Sequence, residues 1–432
     1  MNTKTIIMAA ISAALVHSLV PGASADVITD WNLITVNATK AGGFNSNLGT
    51  RVDAIEAIAV YDAVNSINDI GKPYHFHVSP ARPASAEAAA AQAAHDVLVN
   101  YFPTQRAALD AALSNSLSAI PAGLAQDNGR TIGSASAADI IALRANDGSS
   151  PNVSYPGPAN PGVGQWRPTP AQLAPPFTFP PGINEQWGSV TPFVLAAGDQ
   201  FRPVPPPAVG SWQYNLALTE VKTIGSASNN VRSVDQTHIA QFYKQDAELT
   251  VNEAARELSA LHGLSLDENA LLFALTDIAA ADARIAVWDA KYAYLFWRPV
   301  TALNANPDGS VTDNYSNWGP LIADPAHPDY PSGHSGTVDA GFTILQVFFG
   351  DRDNLTLHTT TPGEPPRTIK SLKQGELENG LSRIYGGIHF SFDNIQGQEL
   401  GVKVAAYVLQ HGPLPFGSFD DDDRDDDHGA RH

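Results

Sequence analysis

Apolar residues recur every three or four positions along most of this sequence, and that spacing constrains the fold more than any other feature. The longest example is 269–296, where the pattern includes Leu271, Leu275, Ile278 and Ile285. Such spacing places apolar side chains on one face of an α-helix. The alternating pattern of half-buried strands is scarce. We therefore predict an all-α protein, built from helical bundles as one compact unit.

Helical patterns also cover most of the remaining chain. Their predicted ranges are 26–42, 51–67, 85–101, 105–120, 122–146, 234–250, 253–262, 332–349, 369–383 and 388–410. A strand pair is expected at most around 304–312, where Pro307-Asp308-Gly309 provides the turn. The stretch 147–211 differs because it is rich in proline and glycine, with scattered aromatic residues. It is either a functional lid or a surface wrap, and its aromatic residues favour packing onto the body over disorder.

The two ends of the sequence are predicted to lie outside the folded unit. Residues 1–25 begin with the basic Lys4, continue with an apolar run and end in Ala23-Ser24-Ala25, a pattern typical of a secretory signal peptide. A membrane anchor is the alternative, but the apolar run is short and interrupted by polar residues. We expect an exported protein, periplasmic or secreted, with no membrane partner after cleavage and a single helical domain over 26–418.

Charge and sulfur content exclude some classes of function. The formal net charge is −19, and seven aspartates fall within 419–432, which we expect to be a disordered acidic tail. This acidic balance argues against a nucleic-acid partner. The sequence contains no cysteine, so disulfide bonds, thiolate metal ligands and thiolate nucleophiles are excluded.

The stretch 381–394 carries the first candidate site residues: a cation, Arg383, a histidine, His389, and a carboxylate, Asp393. If the chain after Gly386-Gly387 is helical, His389 and Asp393 lie one turn apart, and the carboxylate can hold one imidazole nitrogen. Six residues turn through about 600°, so Arg383 and His389 share no face of an unbroken helix. A break at the glycines would bring them to one point. An arginine beside an oriented histidine suits the binding of an oxyanion.

Two further stretches supply matching groups. Lys291 and Arg298 are seven residues apart and project from nearly the same helix face, and Pro299 predicts that the helix ends there. They form either an anion site or a solvated basic edge; their aromatic neighbours are too apolar for a plain solvent face, but the spacing alone does not decide. Ser332-Gly333-His334 opens another helix. A serine N-cap, a glycine that permits close approach and free N–H groups make a potential anion site.

Taken together, these stretches read Lys-x6-Arg-Pro, Pro-Ser-Gly-His and Ser-Arg-x5-His-x3-Asp, in that order. In this combination the sequence resembles the superfamily that joins vanadium-dependent haloperoxidases with type 2 phosphatidic-acid-phosphatase-like acid phosphatases. The resemblance covers 269–409. The runs Phe296-Trp297-Arg298-Pro299 and Gly387-Ile388-His389-Phe390 look closer to the haloperoxidases than to the phosphatases.

The resemblance implies a vanadate cofactor whose oxygens are neutralised by three cations and two hydrogen-bond donors: Lys291, Arg298, Arg383, Ser332 and the Gly333 N–H. His389 would bind vanadium axially, with its other nitrogen held by Asp393. His334 would act as the acid–base group when hydrogen peroxide enters, and Lys291 would polarise the peroxide. A halide would then attack to give a hypohalous acid, with a small organic molecule as the acceptor.

Two other functions stay open. Phosphate has the shape of vanadate and can occupy the same site, so the chain can instead be an exported acid phosphatase in which His389 attacks phosphorus and His334 protonates the leaving alcohol. A noncatalytic anion-binding helical protein is the third alternative, although no site residue is missing. Chloroperoxidases of the family carry a phenylalanine at the position matching His327, whereas bromoperoxidases often carry a histidine. This difference favours bromide or iodide as the halide.

Overall fold

The computed structural model describes residues 26–80, 82–228, 231–311, 315 and 317–413. The predicted signal peptide at 1–25 and the predicted acidic tail at 419–432 lie outside these residues. Helices dominate the described chain, which confirms the all-α prediction. Among the described helices, none combines the length and the apolarity needed to cross a membrane.

The α-helices of the described chain, in order, are α1 (Val27–Ala41), α2 (Ser46–Asn68), α3 (Ala86–Tyr101), α4 (Arg106–Ser118), α5 (Leu124–Leu143), α6 (Trp212–Ile224), α7 (Val234–Phe242), α8 (Ala247–His262), α9 (Leu266–Tyr294), α10 (Pro299–Asn304), α11 (Gly333–Phe349), α12 (Leu372–Tyr385) and α13 (Ser391–His411). Two short 3-10 helices occur at Pro103–Gln105 and Glu185–Ser189. Two three-residue strands, β1 (Leu355–Leu357) and β2 (Arg367–Ile369), pair in antiparallel fashion.

The strand pair does not lie where the sequence placed it. The region around 304–312 forms a single isolated bridge between Ala305 and Val311. The ladder forms instead between β1 and β2, where Thr356 and Thr368 face each other with their hydroxyl oxygens 3.0 Å apart. The helix predicted over 234–250 is also interrupted, because α7 ends before α8 begins.

Side-chain caps define where several helices begin. Ser265 accepts the Glu268 N–H while the Glu268 carboxylate accepts the Ser265 N–H, which forms a capping box at the start of α9. Ser233 and Gln236 form the same arrangement at the start of α7. These reciprocal bonds satisfy N–H groups that the helix itself leaves unpaired, so the helix starts at a defined residue.

α9 is the central helix of the fold. Nearly all of its residues from Asn269 to Lys291 are buried. It packs against α2 from the N-terminal half of the chain and against α11 and α13 from the C-terminal half. A helix that is covered on all sides by close-packed neighbours is a rigid support for the side chains that it presents.

Small residues let α11 approach its two neighbours closely. A Cβ added to Gly336 on α11 would lie 2.7 Å from Val287 Cγ2 on α9. A Cβ added to Gly397 on α13 would lie 2.6 Å from the Ser332 carbonyl oxygen. No larger residue fits at either position without displacement. The N terminus of α11 is therefore held directly against α9 and α13.

The Pro/Gly-rich stretch 147–211 packs onto the body at several points. Its Trp166 and Trp187 are buried. The Asp282 carboxylate on α9 accepts three consecutive backbone N–H groups from this stretch, those of Phe193, Val194 and Leu195, at 2.6, 2.8 and 2.9 Å. Charge-assisted bonds of this kind fix an irregular segment that has no regular hydrogen bonding of its own. The packing agrees with what the aromatic residues predict.

His95 on α3 gives a testable pH dependence of stability. Its Nδ1 lies 2.8 Å from Asp96 and its Nε2 lies 2.8 Å from Asp110 on α4. Burial lowers the pKa of His95, but the two carboxylates outweigh burial and raise it above its usual value. The stabilisation is therefore complete below the unfolded-state pKa of about 6.5 and is lost as pH rises through the higher folded-state pKa.

We expect the free energy of unfolding to fall by about 1 kcal/mol or less between pH 6 and pH 9 through this group, because Asp110 is partly solvated. Urea denaturation at both pH values measures this change. His95→Gln should lack this decrease. Equal pH slopes for the wild-type protein and the variant would show that the two ion pairs contribute nothing.

Candidate oxyanion site

A cavity of about 250 Å³ lies where the two halves of the chain meet. α9, the N terminus of α11 and the turn between α12 and α13 form one side of it. The earlier part of the chain contributes the other side: Asn45, Ser46, Asn47, Ile183, Lys244 and Asp246. Four of the predicted site residues line the cavity: Gly333, His334, Arg383 and His389. The other four are fully buried next to them: Lys291, Arg298, Ser332 and Asp393.

The N terminus of α11 faces this cavity. Ser332 is its N-cap, as predicted, and its hydroxyl accepts the Ser335 N–H at 3.3 Å. The N–H groups of Gly333 and His334 precede the first intrahelical bond, and within the described chain they have no protein acceptor. N–H groups at this position carry a partial positive charge and bind anions.

His389 does not lie on α13, which corrects the helix predicted over 388–410. It occupies the turn after Gly387, whose φ of 81° requires glycine, and α13 starts only after it. The cause is local: Asp393 Oδ2 accepts the Phe390 N–H at 2.9 Å and so caps a new helix at this point. The predicted contact still exists, because His389 Nδ1 lies 3.3 Å from the same oxygen.

A second carboxyl group, Asp329, lies beside His389, although the sequence did not suggest it. Its Oδ1 is 2.6 Å from His389 Nδ1 and 3.2 Å from Arg298 Nη1. Burial raises the pKa of Asp329 well above its usual range, and the nearby Asp393 raises it further. Burial also raises the pKa of Asp393, to about 6. Both shifts favour the protonated carboxyl, and the stronger shift at Asp329 makes Asp393 the carboxyl that ionises first next to Nδ1.

Lys291 holds the loop that leads into α11. Its Nζ donates to the carbonyl oxygens of Pro328, Asp329 and Pro331 at 2.9, 2.6 and 2.6 Å. An ammonium group has three donors, so all of them are used here. Burial lowers the pKa of Lys291 well below its usual range, and the charge of Arg298 lowers it further. The direct anion contact that the resemblance implies requires one of these three bonds to be exchanged.

Arg298 connects the loop to His389. Its Nη1 donates to the Ile388 carbonyl oxygen at 2.8 Å and lies 3.3 Å from His389 Nε2. An arginine can only donate, so this contact assigns the lone pair of the imidazole to Nε2 and its proton to Nδ1. Burial lowers the pKa of His389 well below its usual value, and Arg298 and Lys291 lower it further. His389 is thus a neutral imidazole whose Nε2 lone pair accepts from Arg298 and can bond to a central atom only when that hydrogen bond is exchanged.

Arg383 and His334 face the cavity directly. The guanidinium of Arg383 donates one hydrogen bond, from Nη1 to the Tyr243 carbonyl oxygen at 3.0 Å, and its buried Nε has no acceptor among the described residues. Burial, followed by the charge of Arg298, lowers the pKa of Arg383 to about 9. His334 Nε2 lies 2.9 Å from the Gln245 carbonyl oxygen, so Nε2 donates and Nδ1 is the nitrogen that can accept a proton. Burial lowers the pKa of His334 well below its usual value.

The arrangement suits a small, multiply charged oxyanion. Buried cations without paired carboxylates are costly, and an anion in the cavity would offset that cost. Free N–H groups at a helix N terminus add directional donors. His389 Nε2 adds a lone pair that can bond to the central atom. Asp329, His389 and Asp393 are also of the types that bind metal cations, and their atoms lie within 4.8 Å of one another, but the surrounding positive charge favours an anion.

Comparison with known proteins gives matches in the same part of the chain. Residues 271–414 match the family model described as the VCPO second helical-bundle domain. The vanadium chloroperoxidase of Curvularia inaequalis is 24% identical over 207 residues, which is 38% of this chain and 32% of that protein. The vanadium-dependent bromoperoxidase of Corallina officinalis is 28% identical over 104 residues, 22% of this chain and 17% of that protein. The matched parts span about a third or less of these relatives.

Solved structures resemble the chain over most of its length. The first bacterial vanadium-dependent iodoperoxidase superposes with a TM-score of 0.77 and 24% sequence identity, covering 90% of this chain and 97% of that structure. A holo-type bacterial vanadium-dependent chloroperoxidase has a TM-score of 0.69 and 17% identity, with 94% and 96% coverage. At these identities the superpositions establish the fold.

Fold and site together define an all-α helical-bundle protein with a cavity lined by buried cations and histidines. The matches to the family model and to the curated relatives confirm the resemblance that the three motifs indicate: the C-terminal part of the chain is similar to vanadium-dependent haloperoxidases, and the solved structures share its fold.

Two residues at the site were missed from the sequence, Asp329 and Arg284. Asp329 lies three residues before Ser332, but nothing in the spacing connects it with His389, sixty residues later. Arg284 lines the cavity and lies seven residues before Lys291. That spacing is the same two-turn interval that pointed to Lys291 and Arg298, so the pattern could have revealed it.

We expect Asp329 and Asp393 to act together on His389. Asp329→Asn and Asp393→Asn should each weaken the binding of inorganic phosphate by on the order of tenfold, because each removes part of the negative charge that holds Nδ1–H. The double variant should lose less phosphate-binding free energy than the sum of the losses in the two single variants, since both carboxyls act on one nitrogen. Isothermal titration calorimetry on all four proteins measures the cycle.

Asp62→Asn is the matched control. Asp62 is a buried aspartate on α2 whose carboxylate accepts the N–H groups of Tyr74 and Phe76 at 2.7 and 2.8 Å, and it does not line the cavity. This variant should lose thermal stability and keep its phosphate affinity. Additive losses of phosphate-binding free energy in the Asp329 and Asp393 variants would contradict their joint action on His389.

Proposed function

We propose that the chain is a vanadate-dependent haloperoxidase, which oxidises a halide with hydrogen peroxide to a hypohalous acid. The observation that carries the proposal is the meeting of an unpaired buried guanidinium, that of Arg383, with the Nε2 lone pair of His389 in one cavity. The relatives named above are vanadium haloperoxidases, and their names support the same reaction class. The organic acceptor is a small molecule that the hypohalous acid halogenates.

The residues present fit vanadate as the cofactor. Arg383 Nε lacks an acceptor within the described chain, and the N–H groups of Gly333 and His334 lie at the same cavity. These groups would neutralise the oxygens of vanadate, with Arg298, Lys291 and Ser332 behind them. Bound vanadate supplies a Lewis-acidic centre that activates hydrogen peroxide toward attack by a halide.

The protein's own contribution is to orient and to move protons. Asp393 Oδ2 accepts from His389 Nδ1, and Asp329 Oδ1 lies 2.6 Å from the same nitrogen, so the negative charge at this place favours the proton on Nδ1 and would direct Nε2 to the cofactor. His334 is kept neutral by burial, and its Nε2–H bond to Gln245 leaves Nδ1 to accept a proton from incoming peroxide. In this proposal Lys291 polarises the peroxide after it releases one of its carbonyl partners.

His327 favours bromide or iodide as the halide. Its ring lies against Trp288, with the ring centroids 4.7 Å apart, and Arg298 Nη2 lies 3.0 Å from its Nδ1. The position that matches a phenylalanine in chloroperoxidases of the family is therefore a polar, neutral imidazole at the cavity. Larger and softer halides lose less hydration energy on entering such a site.

The phosphatase alternative uses the same groups. Phosphate has the geometry of vanadate, so the cavity alone does not discriminate between them. The relatives named above are haloperoxidases, which favours the peroxidase. A noncatalytic binding protein is disfavoured because every group that the reaction needs is present. Export remains part of the proposal and rests on the sequence pattern in 1–25. A single domain over 26–418 is also part of the proposal.

The test is an assay of the purified protein with hydrogen peroxide, halide and an organic acceptor, with and without orthovanadate. We expect halogenation that requires vanadate, that is faster with iodide or bromide than with chloride, and that added phosphate inhibits by competition. A parallel assay measures phosphate-ester hydrolysis without vanadate. Hydrolysis with no halide oxidation at any pH or vanadate concentration would contradict the proposal.

His389→Ala should lower halide oxidation by on the order of 100-fold or more, because it removes the only group expected to bond to the central atom. His411→Ala is the matched control, since His411 lies at the far end of α13 and bonds to the Tyr407 carbonyl oxygen. It should keep full activity. Retained turnover in His389→Ala would mean that the site is assigned wrongly.

A further inference from the structure

A fourth cation, Arg284, lines the cavity and belongs to none of the motifs. α9 presents it two helical turns before Lys291, on the same face. Its guanidinium carbon lies 4.8 Å from the centre of the Trp288 ring, which fixes its direction. The residue is only 5% exposed, so this charge is held inside the protein rather than at the mouth of the cavity.

Arg284 makes no hydrogen bond and no ion pair with any residue that the structure describes. Its buried Nε has no acceptor in the described part of the chain. Burial lowers the pKa of Arg284, and Glu248 and Asp246 offset this only in part and at longer range. By contrast, the buried Arg51 is paired with Asp147 at 2.7 Å. A buried guanidinium with an aromatic neighbour but no hydrogen-bond acceptor and no ion pair among the described residues is costly, and a bound anion would offset that cost.

The position of Arg284 matches the expected position of the anion. A Cβ added to Gly333 would lie 2.7 Å from Arg284 Nη1, so the guanidinium abuts the first residue of α11. A larger residue at position 333 would displace the guanidinium from this place. An anion bound by the N–H groups of Gly333 and His334 would therefore lie beside Arg284 as well as beside Arg383.

We propose that Arg284 is a further anion-binding residue, which donates hydrogen bonds to an oxygen of a tetrahedral oxyanion held at the N terminus of α11. The inference rests on the oxyanion cavity of the proposed function and adds a fourth cationic group to it. The ligand class is the multiply charged tetrahedral oxyanions, of which vanadate and phosphate can be tested directly. A second cavity-facing guanidinium favours the more highly charged forms of either anion.

The test measures binding of inorganic phosphate and of orthovanadate to the purified full-length protein by calorimetry. Arg284→Gln should weaken phosphate binding by on the order of ten- to a hundredfold, as expected for a lost hydrogen bond to a charged group. The phosphate affinity of Arg284→Lys should lie between those of the wild-type protein and Arg284→Gln, because lysine keeps the charge and loses the planar guanidinium. Arg256→Gln is the control, since Arg256 is a largely buried arginine on α8 that bonds to Asn32 and does not line this cavity.

Thermal unfolding without any anion separates ligand binding from a structural role. If Arg284 serves the anion, Arg284→Gln removes an uncompensated charge, and the variant should be as stable as the wild-type protein or more stable. Its melting temperature should then rise less than that of the wild-type protein when phosphate is added. A structural role predicts the opposite: lower stability without anion and an unchanged response to phosphate.

Unchanged phosphate affinity in Arg284→Gln would overturn the inference, and if that variant does not fold, wild-type affinity in Arg284→Lys would overturn it. A wild-type protein that binds phosphate through Arg284 and oxidises no halide would retain the inference and contradict the proposed function. A wild-type protein that binds neither oxyanion would overturn both.

Discussion

Buried positive charge around one cavity is the constraint on which the rest of the structure depends. Arg284 and Arg383 face the cavity with no carboxylate paired to them among the described residues, and Arg298 lies directly behind. Burial lowers the pKa of His334 and His389, and the charges of the surrounding cations lower it further. Burial and the charges that suit an oxyanion therefore both favour the neutral imidazole, which is the form that can bond to a central atom or accept a proton.

The fold holds these groups in place through helices that cannot shift easily. α9 is buried on all sides and presents Arg284, Trp288 and Lys291 from one face. α11 is pressed between α9 and α13 by glycine contacts, which aims its N terminus at the cavity. The turn at Gly387 then brings His389 to the same point. Rigid support of this kind is what an anion site needs, since its donors must keep their positions when the anion is absent.

The helical fold class and the site residues within the three motifs could be predicted, because both depend on short-range spacing in the sequence. Residues that depend on contacts between distant parts of the chain could not. Asp329 reaches His389 only after folding, and the wall formed by Asn45 and Ile183 carries no recognisable motif. The predicted helix over 388–410 began too early because the apolar pattern does not register the cap that Asp393 provides. Its boundary was decided by one hydrogen bond rather than by periodicity.

The central claim is that a tetrahedral oxyanion binds among these cations with its central atom at His389. The most direct measurement is a crystal structure of the protein grown with orthovanadate, with anomalous scattering used to locate vanadium. We predict vanadium in the cavity within bonding distance of His389 Nε2, with its oxygens facing Arg383 and the N terminus of α11. Vanadium elsewhere, or an empty cavity at saturating vanadate, would contradict the account.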